Sequence, residues 1–322
     1  MERARAWLES ARKRALVELV ALPGGGGARR YHRARFADGS SAVLMHALPE
    51  DPAILPPQLR ASAGEIPFLD VTALLARHGL PVPEIYAVER AERWVLLEDL
   101  GDQHLLDLAP AERARRHREA VAVLARVHAL PREGSLPFRR CFDEEWVRFE
   151  LRTFVEHGVA DDALRRPLDR ELDALARAVA ALPRVLALRD YQSQNLMIDP
   201  RGRLRLLDYQ DALLAPAELD LAALLHDSYV ELAESERAAL AAEYWRARGG
   251  SADPAAYALL VVQRKCKDFG RYRLLVERRG DLRYRPYIAR ARASVLGALP
   301  ALPPVLRRLA ELLPAALAER GA

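Results

Sequence analysis

The stretch that most restricts the fold is Leu186-Ala187-Leu188-Arg189-Asp190-Tyr191-Gln192-Ser193-Gln194-Asn195-Leu196-Met197-Ile198-Asp199, with its continuation Leu204-Arg205-Leu206-Leu207-Asp208-Tyr209-Gln210-Asp211. An apolar run, expected as a short buried strand, ends at an acid, Asp190. The amide of Asn195 follows. Met197 and Ile198 then precede an Asp-Pro-Arg-Gly turn at 199–202, and a second strand-like run delivers Asp208. Two short strands on a tight turn would bring Asp190, Asn195 and Asp208 into one pocket. A plain β-hairpin whose polar residues cap its turns is the simpler reading of the same pattern.

Phosphoryl transfer from ATP needs this set of groups. One carboxylate orients the attacking hydroxyl and takes its proton, while an amide and a second carboxylate hold the magnesium that neutralises the phosphates. Asp190 suits the first role, and Asn195 and Asp208 suit the second. ATP and Mg2+ are therefore the expected cofactors.

Composition excludes several other classes. The chain has 322 residues, 51% hydrophobic and 29% charged, enough for a large core in one two-lobed unit or two domains. Its net charge is +4, and of its 49 basic residues lysine stands only at 13, 265 and 267. Basic and acidic residues alternate along Glu112 to Glu119, as on a solvated helix face, and no basic cluster is interleaved with aromatics. Nucleic acid is not an expected partner. No uncharged apolar run approaches the roughly 18 residues of a membrane helix, so no membrane partner is expected. Cys141 and Cys266 lack metal-ligand spacing and read as two free thiols. The N-terminus has no signal-like apolar core. A cytoplasmic monomer is the expectation.

Along the chain, the spacing of Trp7, Leu8, Ala11, Ala15, Leu16 and Leu19 predicts one helix over 2–20. Gly24, Gly25, Gly26 and Gly27 follow. They read either as a flexible linker or as a turn whose amides approach phosphate oxygens. The second reading gains from position, since strands over 29–36 and 41–46 come next, joined by a turn at 37–40. A helix is expected over Glu65–His78 and two strands over 84–88 and 94–97, and the rest reads as mostly helical.

These segments resemble the aminoglycoside and choline kinase family, which has a protein-kinase-like fold. The match is closer to the bacterial subgroup that phosphorylates the anomeric hydroxyl of N-acetylmuramate and N-acetylglucosamine. Its Arg-Asp-Tyr/Phe-x-Ser-x-Asn-Leu-Met loop and Asp-Phe/Tyr-Gln-Asp-Ala segment are nearly reproduced at 189–197 and 208–212. The family's usual His-x-Asp begins here with Leu188. The resemblance implies an α+β bilobal kinase-like fold. A small antiparallel β lobe would span 1–98 and bind the nucleotide. A large, mainly helical catalytic and substrate lobe would span 99–322, with a hinge at Glu98, Asp99 and Leu100 that meets adenine.

The resemblance also implies an ATP-dependent kinase acting on those amino sugars in cell-wall recycling. A kinase for an aminoglycoside, choline or another sugar, and a nucleotide-binding module without catalysis, remain as alternatives. Met45 stands where most kinases place a phosphate-binding lysine, and Arg30 and Arg33 are the candidates to replace it. His128 and Asp220 match residues that support the catalytic loop. Glu150, Asp211, Asp227 and Tyr229 are candidates for sugar contacts. Lys265 and Lys267 are expected to be solvated.

Overall fold

The helical spacing over residues 2–20 does not survive folding as one helix. In the computed structural model of the chain, which describes residues 2–23, 28–60 and 66–318, helix α1 covers Glu2–Arg12. Lys13 then turns the backbone left-handed (φ 52°), and Leu16–Ala21 forms strand β1. Sheet pairing overrides the local period. The β-branched Val17 and Val20 suit a strand, and pairing with the next strand supplies a partner for the backbone. Helix and strand are laced together. Glu9 accepts from the Leu16 N–H at 2.9 Å, and Arg5 donates to the Leu16 carbonyl at 2.6 Å.

Strands β2 (Arg30–Phe36) and β3 (Ser41–His46) follow, then short helix α2 (Pro57–Arg60), helix α3 (Pro67–Arg77), and strands β4 (Ile85–Glu89) and β5 (Trp94–Glu98). The predicted start of α3, Glu65, lies outside the described residues. The five strands pair antiparallel in the order β1-β2-β3-β5-β4. Because side chains alternate along a strand, this sheet sorts its residues by parity. Ala34, Phe36, Ala42, Leu44 and Leu96 share a core with Ala4, Leu8 and Leu16. Tyr31, Arg33, Val43 and Met45 belong to the opposite face, with Tyr31 directly across from Met45.

Beyond β5 come α4 (Pro110–His128), α5 (Glu144–Thr153), α6 (Asp162–Ala180) and β6 (Val185–Ala187). Strands β7 (Leu196–Ile198) and β8 (Leu204–Leu206) form a hairpin, and β9 (Leu213–Ala215) pairs antiparallel with β6. Helices α7 (Glu218–Leu225), α8 (Glu234–Arg248), α9 (Pro254–Arg279), α10 (Arg285–Ala298) and α11 (Arg307–Ala316) complete the described chain. No helix among the described residues is long and apolar enough to cross a membrane.

Two compact units result. Among the described residues, one holds those up to Gln103 together with Met197–Gln210; the other holds His104–Leu196 and those from Asp211 onward. Sequence expectation placed a single cut at 98, whereas the β7–β8 hairpin groups with the first unit. The second unit is built on α9, whose residues Ala258 to Cys266 are buried. Its Gly270 packs against the end of α5, and a Cβ there would stand 2.5 Å from the Thr153 carbonyl oxygen. Only glycine allows that approach.

Candidate active site

In the second unit, β6 runs into the loop that carries Asp190. Arg189 adopts a left-handed backbone (φ 74°), a conformation that needs external support in a residue with a side chain. Asp220, at the start of α7, supplies it. Its carboxylate accepts from Leu188 N–H at 2.6 Å and Arg189 N–H at 2.7 Å. His128 Nε2 meets Asp220 Oδ2 at 3.2 Å, and its Nδ1 lies 2.6 Å from the Tyr244 hydroxyl. Asp220, His128 and Tyr244 are buried. Asp227 holds the far side of the loop, accepting from Ser193 N–H at 2.7 Å, from the Ser193 hydroxyl, and from Tyr229 N–H at 2.9 Å.

Asp190 itself sits among cations. Arg264 of α9 donates to Asp190 Oδ1 at 2.9 Å and to the Arg189 carbonyl at 2.7 Å. Burial alone would raise the pKa of Asp190, but Lys267, Arg264 and Arg189 outweigh it and hold the carboxyl well below the usual aspartate range. Glu150 is buried beside them. It accepts from Arg189 at 2.9 Å and from Gln263 at 3.0 Å, and Lys267 Nζ lies 3.7 Å away. Burial would raise its pKa too, and Lys267, Arg189 and Arg264 reverse the shift. Arg189 also reaches Asp211 at 3.4 Å. Asn195 donates from Nδ2 to the Asp190 carbonyl at 2.9 Å, which fixes its amide and turns Oδ1 the other way.

In the first unit, Asp208 ends the β7–β8 hairpin on a left-handed backbone (φ 58°), its side chain 41% exposed. Arg29 donates to Asp208 Oδ1 at 3.1 Å and Gln210 at 3.0 Å. The next residue, Tyr209, is buried, stacked on Phe68 and hydrogen-bonded to Thr72 at 2.9 Å, so the hairpin is anchored to α3. Of the predicted hinge, Glu98 accepts from Arg205 of β8 at 2.9 Å and Leu100 is buried. Arg33 contacts Asp99 at 2.8 Å, Asp102 at 2.9 Å and the Gly101 carbonyl at 2.9 Å. Arg30 is exposed. Gly24 to Gly27 lie outside the described residues.

A braced loop presenting an ionised acid and an oriented amide, and a separately anchored hairpin presenting a second acid, are the parts a phosphoryl-transfer enzyme needs. The phosphotransferase enzyme family model matches residues 18–260. The chain belongs to this family. Relatives of this phosphotransferase include N-acetylmuramate/N-acetylglucosamine kinases from Neisseria meningitidis serogroup B and Pseudomonas putida. The first is 32% identical over 89% of this chain and 85% of its own length, and the second 30% identical over 88% and 85%. Among solved structures, a choline kinase from Streptococcus pneumoniae matches 92% of this chain and 99% of its own, with a TM-score of 0.66 at 15% identity. A type VIII aminoglycoside-3'-phosphotransferase matches 80% and 96%, with a TM-score of 0.57 at 22% identity. The kinase-like α+β fold expected from the sequence is thus shown.

Several candidate residues of the phosphotransferase have partners within the fold. Asp227, a candidate for sugar contact, is buried and accepts from the Ser193 N–H. Tyr229 packs edge-on against Tyr287, with ring centroids 4.8 Å apart. Glu150, another sugar candidate, is buried as the counter-ion of Arg189 and Lys267. Lys265 is not solvated but 1% exposed, bonded to Asp268 at 2.8 Å and to Ser228 at 3.2 Å. Lys267 is likewise drawn in, and burial pushes its pKa down. Sequence reasoning missed Arg264 and Arg29. Arg264 sits in the segment already singled out for its lysines, one residue before Lys265. The signal for Arg29 was its place between the glycines and β2.

Proposed function

We propose that this phosphotransferase moves the terminal phosphoryl group of ATP to the anomeric hydroxyl of N-acetylmuramate and N-acetylglucosamine, a step in the recycling of cell-wall sugars inside the cell. Asp190 orients that hydroxyl and takes its proton. Asn195 and Asp208 hold magnesium. Both offer the hard oxygen donors this ion selects, and it commonly takes few protein ligands and completes its shell from water and phosphate. When bound, the ion neutralises phosphate charge. Asp211, paired to Arg189, remains a candidate for sugar contact, and Glu98, Asp99 and Leu100 for adenine. One chain carries every residue named.

The observation that carries the reading is the setting of Asp190. A carboxylate surrounded by cations is always ionised but weakly basic. Such a base suits an acceptor hydroxyl that is itself comparatively acidic, and an anomeric hydroxyl is more acidic than that of an ordinary alcohol. The names of the N. meningitidis and P. putida relatives point to the same acceptors.

The test is ADP release from Mg-ATP with N-acetylmuramate, N-acetylglucosamine, choline and an aminoglycoside, with Asp190→Asn as control. Loss of the sugar's reducing end during turnover reports phosphorylation at C1. Turnover confined to the amino sugars, with that loss, supports the reading. Turnover only with choline or the aminoglycoside keeps the chemistry and overturns the acceptor. A protein that binds ATP and turns over none of the four leaves neither the acceptor nor the chemistry supported.

A further inference from the structure

The first unit lacks the phosphate-binding lysine. Lysine is absent from residues 14–264, and Met45, which occupies that place in β3, is fully buried. A replacement cation must project from the same face of the sheet and lie near the acid that ends the hairpin.

Parity and partners sort the three arginines at the start of β2. Arg30 pairs in register with His46 and so belongs to the face opposite Met45. Arg33 is on the Met45 face, but its guanidinium is held by Asp99, Asp102 and the Gly101 carbonyl. Arg29 precedes Tyr31 by two residues, and Tyr31 lies directly across from Met45. The guanidinium of Arg29 interacts with the Tyr31 side chain and donates to Asp208 at 3.1 Å. Burial raises the Tyr31 pKa, and Arg29 partly offsets this. Next to it, the Ala28 N–H is pinned to Glu50 at 2.8 Å, which anchors the backbone where it leaves the glycines.

From this placement we infer that Arg29 is the nucleotide-phosphate clamp of this phosphotransferase, resting on Asp208 when no nucleotide is bound and bridging to the β-phosphate when one is. The inference rests on the proposed use of ATP and says which residue does the work of the missing lysine. A guanidinium can keep one N–H on Asp208 while its other edge takes phosphate oxygens bidentately, which the point charge of lysine cannot do. Arg29 is therefore a binding residue for the diphosphate and the guard of an otherwise exposed carboxylate.

The experiment is calorimetric titration of the full chain with ADP and with AMP in EDTA, so that no divalent ion joins protein to phosphate. The ratio of the two affinities isolates the β-phosphate. In the wild type ADP is expected to bind more tightly than AMP. In Arg29→Met the ADP affinity is expected to fall by about tenfold to a hundredfold, the size of a lost charged hydrogen bond, with AMP affinity unchanged. Arg29→Lys should recover part of the ratio. Arg35→Met, on the same strand and paired to Glu18, is the control and should keep the wild-type ratio. A merely structural role for Arg29 would lower both affinities together, and that result overturns the inference. So does an unchanged ratio in Arg29→Met, or a wild type that does not distinguish ADP from AMP. The kinase reading stands or falls separately, on magnesium-dependent turnover by the wild type.

Discussion

Asp190 and Asp208 are the same residue held in contrasting ways. Asp190 sits in a network with Arg264, Arg189 and Lys267 ranged around it, on a loop whose backbone is pinned by Asp220 and Asp227. Asp208 is more exposed, on a left-handed residue at the end of a hairpin, with Arg29 and Gln210 at one oxygen. The difference fits the two roles proposed for them. A base must keep one position and one charge state while it waits for a hydroxyl, so buried cations and a braced backbone serve it. A metal ligand must exchange partners, and a carboxylate within reach of solvent beside the Arg29 guanidinium suits that role.

The largest expected effect comes from removing the proposed base. Asp190→Asn should lower kcat by about 10²- to 10⁴-fold, the usual weight of general-base catalysis, with magnesium half-saturation unchanged in steady-state kinetics. Asp208→Asn should do the reverse in character. A loss of about a hundredfold in kcat/KM is expected, together with a rise in the magnesium concentration needed for half-maximal rate. If both variants shift the magnesium dependence alike, the contrast between the two acids is broken.

The next effect is on stability. Asp220 satisfies the N–H groups of Leu188 and Arg189 and faces His128, so Asp220→Ala leaves three polar groups, the Leu188 N–H and His128 among them buried, short of a partner. About 3 kcal/mol should be lost in a urea titration. A loss under about 1 kcal/mol would mean that the left-handed Arg189 does not depend on this brace.

How much of this was readable from the sequence differs by region. The loop and hairpin were legible because their chemistry is local. Asp190, Asn195 and Asp208 lie within one short stretch, and strand, turn and acid follow each other at fixed spacing. The break between α1 and β1 was not legible, because Leu16 and Leu19 fit a helical period as well as a strand edge. Only pairing with β2 decides between them. The burial of α9's cations was also hidden. Arg264 is 74 residues from Asp190, and the acid beside Lys267 is Glu150 on α5, so nothing local signals their burial; Lys265 pairs with Asp268 three residues on, a spacing that looks the same on a solvated helix face. The partner of Asp227 was hidden for the same reason, since Ser193 lies 34 residues away.

The finest test of the contrast is pH. The folded pKa of Asp190 lies below its ordinary value, so its ionisation stabilises the fold above about pH 4, and that contribution is lost as pH falls through the folded pKa. Across the neutral range the proposed base is fully ionised, and its acid limb in the kcat/KM profile should lie well below neutral pH. Arg264→Gln removes one cation and the hydrogen bond to Oδ1 but keeps a donor. Burial then counts for more, and the acid limb should move up by about one to two pH units. Arg264→Lys should move it less. The equivalent change beside the other acid, Arg29→Gln, should leave the limb in place, because Asp208 is exposed and water replaces the lost cation. A limb that moves equally in both variants would mean that burial among cations is not what distinguishes the base from the metal ligand.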